Sequence, residues 1–125
     1  MSDRIKGDEV YKIGMRGYKE VLPYNWHGKM IEIRYILPRD EEIELVHSIL
    51  RCCGLDEMNN GFIIPEFLEP AIRANIVTAY TNADLPNSID EQQQLLYCSD
   101  LYDVVMKTVN GPQVNNIINS VKMYV

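Results

Sequence analysis

Residues 29–54 read KMIEIRYILPRDEEIELVHSILRCCG, and this stretch decides the fold class. Ile31, Ile33 and Tyr35 alternate with Glu32 and Arg34, which predicts a strand with one buried face. Pro38 ends it, because proline has no N–H to give to a ladder. Asp40 then offers an N-cap, and Glu41 and Glu42 fill a first turn where the helix dipole favours acids. Ile43, Val46, Ile49, Leu50 and Cys53 recur at helical spacing. Gly54 stands where a left-handed residue closes a helix, so the spacing predicts a helix over about 41–53. One strand is not a sheet. Its antiparallel partner is expected upstream, in Val10–Met15 or Tyr18–Leu22, with Trp26-His27-Gly28 as a turn.

Working back to the N-terminus, Gly7, Gly14, Gly17 and Pro23 punctuate the first 24 residues. Glycine costs too much inside a helix for a good helix there. Val10, Tyr11, Ile13, Met15 and Tyr18 are too apolar for a free tail. The expectation is an extended arm or loose hairpin over residues 1–25 that packs on its own domain or on a neighbour.

Working forward, Leu55–Gly61 reads as a loop and Phe62–Ile64 as a short extended piece. Phe67, Leu68, Ala71, Ile72, Ile76, Ala79 and Tyr80 repeat at three and four, which predicts a helix from 66 or 70 to 81. Pro65 and Pro70 are each tolerable in its first turn. Apolar residues cover nearly all its faces, so it is expected to be the central helix. Ser88-Ile89-Asp90-Glu91 has the capping-box pattern. Ser99 and Asp100 either recap a second helix or lie within one continuous helix. After the break at Asn110-Gly111-Pro112, Val114, Ile117, Ile118, Val121 and Tyr124 share one face of a last helix. The fold class is α+β, mainly α. An N-terminal arm and a short antiparallel strand pair precede four to five helices, and residues 26–125 form a single domain.

Composition bounds the function. The chain has 125 residues, 46% hydrophobic and 24% charged, which suits one globular domain and not disorder. A net charge of −6 argues against direct nucleic-acid binding, which needs clustered Lys and Arg. Residues 1–40 hold eight basic and six acidic side chains, which leaves −8 on the rest. Such asymmetry suits contact with copies of the chain or with a partner of opposite sign, while a solvated surface is the simpler reading. No apolar run is long enough to span a membrane, and the first 20 residues lack the apolar core of a signal peptide. Cys52, Cys53 and Cys98 are odd in number and read as free thiols of a reducing compartment. With His27 and His47 the only histidines, no zinc spacing can be written, and no metal or cofactor is expected.

No catalytic motif is present in the sequence, neither G-x-S-x-G, H-E-x-x-H, a Walker loop nor G-x-G-x-x-G. His27 is the one residue placed like a loop catalyst, and a side chain that merely shapes the turn explains it as well. His47 falls between apolar helix positions and reads as a boundary histidine. The acids at 40–44 and at 90–91 sit at helix starts, where the dipole accounts for them. Eight tyrosines and one tryptophan against two phenylalanines make an amphipathic aromatic set, the type enriched at protein interfaces. The candidate partner-binding residues are Tyr11, Ile13, Tyr18, Tyr24 and Trp26. Packing within the chain is the alternative for each.

Several stretches carry a likeness to a known group. They are Trp26-x-Gly28, Ile31-Glu32-Ile33-x-Tyr35-x-Leu37-Pro38, Ala79-Tyr80-Thr81-Asn82, Leu85-Pro86 and Leu101-Tyr102-Asp103-Val104-Val105. Over residues 26–110 the chain resembles small proteins encoded in the structural-gene region of tailed phages and prophages of Gram-positive bacteria. It looks like a head–tail or tail-morphogenesis protein and is similar to tail assembly chaperones. The resemblance implies a non-enzymatic virion or assembly protein in the host cytoplasm or the particle. It would contact other phage structural or assembly proteins, or copies of itself, and no membrane. The segment before Trp26 lies outside the match and suits a virion protein that threads onto neighbours. The alternative function is an acidic phage-encoded inhibitor that meets a host nucleic-acid-processing enzyme with carboxylates in place of phosphates.

Overall fold

The computed structural model describes residues 4–16, 20–56, 58 and 60–124. In chain order the elements are α1 (Gly7–Gly14), β1 (Val21–Trp26), β2 (Lys29–Arg34), α2 (Arg39–Cys52), α3 (Pro65–Tyr80), α4 (Ile89–Cys98), α5 (Leu101–Thr108) and α6 (Gly111–Lys122). The chain is mainly helical α+β with one two-stranded antiparallel sheet among the described residues.

Two expectations about the N-terminal segment are corrected. Residues 7–14 form a helix rather than extended chain, and Val10–Met15 is therefore not the strand partner. The glycines do not break this helix because they are its first and last residues, not its interior. Asp8 and Glu9 in the first turn and Lys12 in the last suit the helix dipole. The partner of β2 is β1, with Trp26 opposite Lys29 and Val21 opposite Arg34. The Tyr18–Leu22 alternative overlaps β1 only at Val21 and Leu22, and its Tyr18 lies outside the described residues. His27 and Gly28 make the hairpin turn, both at positive φ (51° and 87°), the geometry that two-residue hairpin loops require.

Pro23 sits inside β1 and pairs with Glu32. The Glu32 N–H donates to Asn82 Oδ1, and the Glu32 carbonyl accepts from the Asn82 N–H, so both point away from β1. At that pair β1 is asked for no N–H, which is why the edge strand tolerates proline. The same contacts seal the outer edge of β2, with Ile33 bridged to Thr81. Ile31 and Ile33 are buried from β2, as the alternation predicts.

Helix α2 begins at Arg39 with Pro38 as its N-cap, so Asp40 lies in the first turn instead of capping it. Proline's fixed φ and missing N–H suit that entry. Gly54 follows the C-cap at φ +116°, as its place in the sequence requires. A Cβ there would stand 2.7 Å from the Phe62 carbonyl oxygen, so the next loop also needs glycine. Phe62–Ile64 forms no strand; Ile64 instead donates its N–H to the Cys53 carbonyl.

Helix α3 starts at Pro65, which places Pro70 inside the helix rather than in its first turn. It buries Ala71, Ile72, Ile76, Val77 and Tyr80 and is packed by α2, α4 and α5. The α4–α5 region is two helices. Ser88 caps α4 by accepting from the Glu91 N–H, and the chain turns at Ser99 and Asp100. Asp100 makes no cap hydrogen bond to α5. Asn110 caps α6 by accepting from the Gln113 N–H. Val114, Ile117 and Val121 face the core, whereas Tyr124 lies exposed beyond the helix end. No described helix is long and apolar enough to cross a membrane.

Candidate functional site

The sequence-predicted partner residues lie on two elements. Tyr11 and Ile13 belong to α1, and Tyr24 and Trp26 to β1. Tyr18 lies outside the described residues.

On the helical wheel of α1, Ile13, Val10, Gly14, Gly7 and Tyr11 fall in one arc. Asp8, Lys12 and Glu9 fill the other. That apolar arc is unpartnered: α1 buries no residue, and Tyr11 is 67% exposed. Val10 and Ile13 are about half exposed as well. An amphipathic helix normally gains its stability by burying its apolar face, so a two-turn helix with that face in water is weakly held.

The hairpin behaves differently. Leu22, Tyr24 and Trp26 share a sheet face with Ile33, Ile31 and Lys29, their cross-strand partners. Trp26 packs against the core, whereas Leu22 and Tyr24 remain substantially exposed. The Trp26 indole N–H donates to Asp100 Oδ1 at 2.8 Å, and His27 Nε2 lies 3.2 Å from the same oxygen. The Trp26 bond, then the His27 bond, hold the Asp100 carboxyl below its ordinary range. Of the two expected aromatic anchors on β1, Trp26 is thus tied to its own domain, whereas Tyr24 stays 40% exposed.

His27 was the candidate loop catalyst. Its ring packs edge-on against Trp26, and its side-chain hydrogen-bond partner among the described residues is Asp100, which anchors the hairpin tip to the start of α5. No group of three His, Cys, Asp or Glu side chains gathers in metal-binding geometry among the described residues. Cys52, Cys53 and Cys98 are unbridged, Cys53 alone being buried.

A second surface was not singled out by sequence reasoning. Between α3 and α4 lies a mainly apolar groove of about 250 Å³, lined by Cys52, Phe67, Pro70, Ala74, Ile89 and Leu96. Phe67, one of the apolar residues at helical spacing on α3, is 51% exposed, and Ile89 is 70% exposed. The available signal was α3 being apolar all round, since a helix with several neighbours on one side still has another side facing out.

The groove's walls are held by one cation. Arg73 donates to Glu69 Oε1 at 3.1 Å and to the Leu96 carbonyl at 2.9 Å. Its guanidinium centre lies 4.2 Å from the Tyr97 ring centroid and 4.6 Å from that of Tyr102. Residues 55–106, which include α3 and α4, contain nine acids and a single base, Arg73. Comparison of the chain with protein-family models, with curated proteins and with solved structures finds no match.

Proposed function

We propose that the chain is a non-enzymatic morphogenesis protein of a tailed phage or prophage. It acts in head–tail or tail assembly through protein–protein contacts. One observation carries the contact-based part of this reading: α1 presents Val10, Tyr11 and Ile13 to water and buries none of them. Exposed apolar side chains gathered on one face mark an interaction surface. The phage context comes from the resemblance over residues 26–110.

The test uses the full-length chain, tagged at the C-terminus, in a Gram-positive host carrying an induced tailed prophage. The bait is expected to capture capsid or tail proteins, and Ile13→Glu is expected to abolish that capture while the circular dichroism stays unchanged. Capture of only a host nuclease or polymerase would replace this reading with the acidic-inhibitor one. Capture of phage proteins undiminished by Ile13→Glu would detach the function from α1. A chain beginning at Glu20 serves as a second variant, since it removes α1 and keeps β1 whole.

A further inference from the structure

We propose that Asn60 is a site of spontaneous covalent modification. Its side chain closes on the Gly61 nitrogen, loses ammonia and leaves aspartyl or isoaspartyl at position 60. The fold protects the other Asn-Gly pair, Asn110-Gly111, from the same reaction. The isoaspartyl product opens the end of α2. None of this depends on the assembly reading above.

The sequence supplies the reactants. Asn-Gly occurs twice, at 60–61 and at 110–111. A following glycine has no Cβ, so its backbone nitrogen can come close to the asparagine Cγ. That nitrogen gives its proton to hydroxide and attacks Cγ. The new C–N bond forms as the Cγ–Nδ2 bond breaks, and ammonia leaves with a proton taken from water. A five-membered imide results. Water then opens it at either carbonyl. Opening at Cγ gives aspartate. Opening at the backbone carbonyl gives isoaspartate, whose main chain runs on through Cβ and Cγ. One water is taken up for each ammonia released, nothing is oxidised or reduced, and solvent is the only co-reactant.

The surroundings of Asn60 leave this path open. Asn60 is exposed in the loop between α2 and α3. The hydrogen bonds that hold it run through its backbone. Its N–H donates to Asp56 Oδ1 at 2.9 Å, and its carbonyl accepts from the Asp56 N–H at 2.9 Å. Ring closure joins Cγ to the Gly61 nitrogen and leaves both of those groups in place.

Asn110 stands in the opposite situation. It is half-buried, and its Oδ1 accepts from the Gln113 N–H at 2.9 Å as the cap of α6. Its N–H donates to the Tyr35 carbonyl, and its carbonyl accepts from the Val114 N–H. Drawing Cγ onto the Gly111 nitrogen takes Oδ1 away from Gln113, which uncaps α6 and strands a backbone donor. The reaction there must first break part of the fold.

The isoaspartyl product lengthens the main chain by one methylene just before Gly61. There is little room for it. Gly61 sits at φ +114°, and a Cβ on it would stand 3.2 Å from the Gly54 carbonyl oxygen. A Cβ on Gly54 would in turn meet the Phe62 carbonyl oxygen at 2.7 Å. These two close backbone contacts hold the loop against the end of α2, where Ile64 donates its N–H to the Cys53 carbonyl. A longer chain forces the contacts apart and exposes Cys53, which is otherwise fully buried.

The experiment ages the full-length protein at mildly alkaline pH, natively and in guanidinium chloride, and then digests it with trypsin. Asn60 and Asn110 fall in separate peptides, 52–73 and 108–122. Mass spectrometry reads the replacement of NH2 by OH at each site, and an isoaspartyl methyltransferase marks the isoaspartyl product. In the native protein Asn60 is expected to convert several times faster than Asn110. In guanidinium chloride the two rates are expected to converge. Asn60→Gln, whose ring would need a sixth member, is expected to leave peptide 52–73 unconverted, and circular dichroism checks that this variant is folded. An aromatic disulfide reagent is expected to label Cys53 natively in aged wild type, in step with its isoaspartyl content. Fresh wild type and aged Asn60→Gln are expected to keep Cys53 unlabelled. Native rates that match at the two sites, or a rate difference that persists in guanidinium chloride, overturn the protection by the fold. An Asn60 that converts only in guanidinium chloride overturns the site. Cys53 unlabelled in isoaspartyl protein overturns the opening of α2.

Discussion

Tyr80 donates its hydroxyl proton to Gln113 Oε1 at 2.6 Å in the middle of the core, where Tyr80 is fully buried and Gln113 nearly so. The same Oε1 accepts from the Leu37 N–H at 2.8 Å, and Gln113 Nε2 donates to the Leu37 carbonyl at 2.8 Å. One glutamine side chain thereby joins the end of α3, the segment between β2 and α2, and the first turn of α6. Replacing it with alanine strands two backbone groups and a phenol without partners. Gln113→Ala is expected to cost about 3 kcal/mol, from the penalty for buried unsatisfied groups. Tyr80→Phe leaves Oε1 still bonded to Leu37 and is expected to cost about 1 kcal/mol. Urea unfolding midpoints of the two variants measure both, and equal losses would contradict this division.

The Tyr80 phenol is pushed well above the ordinary tyrosine value of 10.0, by burial first and then by the charge of Glu42. Tyr102 is raised too, by burial first and then by Glu69. Below the unfolded value both states hold these protons, and the stabilisation is fully present. Above pH 10.0 the unfolded chain releases protons that the folded chain retains, so stability falls as pH rises toward the folded values. Thermal midpoints are expected to decline above that pH and to decline less steeply in Tyr80→Phe. Identical slopes in the two proteins would rule out Tyr80 as a source.

Trp26 is the single tryptophan, so its bond to Asp100 can be followed by fluorescence. The Asp100 carboxyl is held below its ordinary 3.8, first by the Trp26 indole N–H and then by His27. The stabilising bond is present above that value and is lost as pH falls through the lowered folded value. Trp26 emission is expected to shift with a midpoint below 3.8. In Asp100→Asn an acceptor oxygen remains but no charge titrates, so the emission step is expected to disappear. A step unchanged in Asp100→Asn would place its cause elsewhere.

Cys53 is fully buried, and burial, followed by the neighbouring Cys52, pushes its thiol up. Thiolates, not thiols, react, and only where a reagent can reach them. An aromatic disulfide reagent is therefore expected to label Cys52 and Cys98 in the native protein and Cys53 only after denaturation. Three fast equivalents under native conditions would show that the end of α2 is open.

Periodicity carried the interior of the fold. Ile31 and Ile33 on β2, and Ile72, Ile76, Val114, Ile117 and Val121 on the helices, are buried where their spacing places them. Local chemistry carried Gly54 and Ser88, because a left-handed C′ and a capping serine leave short-range signatures. The errors fell where a residue's role depends on position within an element. Gly7 and Gly14 were taken for breakers although each lies at a helix end, and Asp40 for a cap although Pro38 opens the helix. Gln113 went unremarked because one polar residue among apolar ones cannot announce that three distant groups converge on it. In the candidate site, the sequence showed Tyr11 and Ile13 to be too apolar for a free tail but left open whether they pack on the chain itself or on a neighbour; only the structure shows them exposed. The groove was not legible, since Phe67 and Ile89 share their pattern with buried neighbours and only the packing of α3 against α4 leaves them outside.

That packing depends on Arg73, and its chemistry separates it from lysine. The guanidinium is planar, lies over two tyrosine rings, and donates to both Glu69 and the Leu96 carbonyl. Lysine offers a point charge that cannot stack flat on a ring while holding two acceptors on different helices. Arg73→Lys is expected to lose about 1–2 kcal/mol from the stacked and hydrogen-bonded arrangement, despite keeping the charge. Arg73→Met keeps much of the stem and removes the charge, which leaves the Leu96 carbonyl without this donor and deepens the loss. If the cation acted only by neutralising nearby acids, lysine would match arginine and methionine alone would suffer. Urea midpoints of the three proteins decide between these accounts. The Tyr97 and Tyr102 ring resonances add an independent readout, because losing the stacked guanidinium moves them even where stability hardly changes.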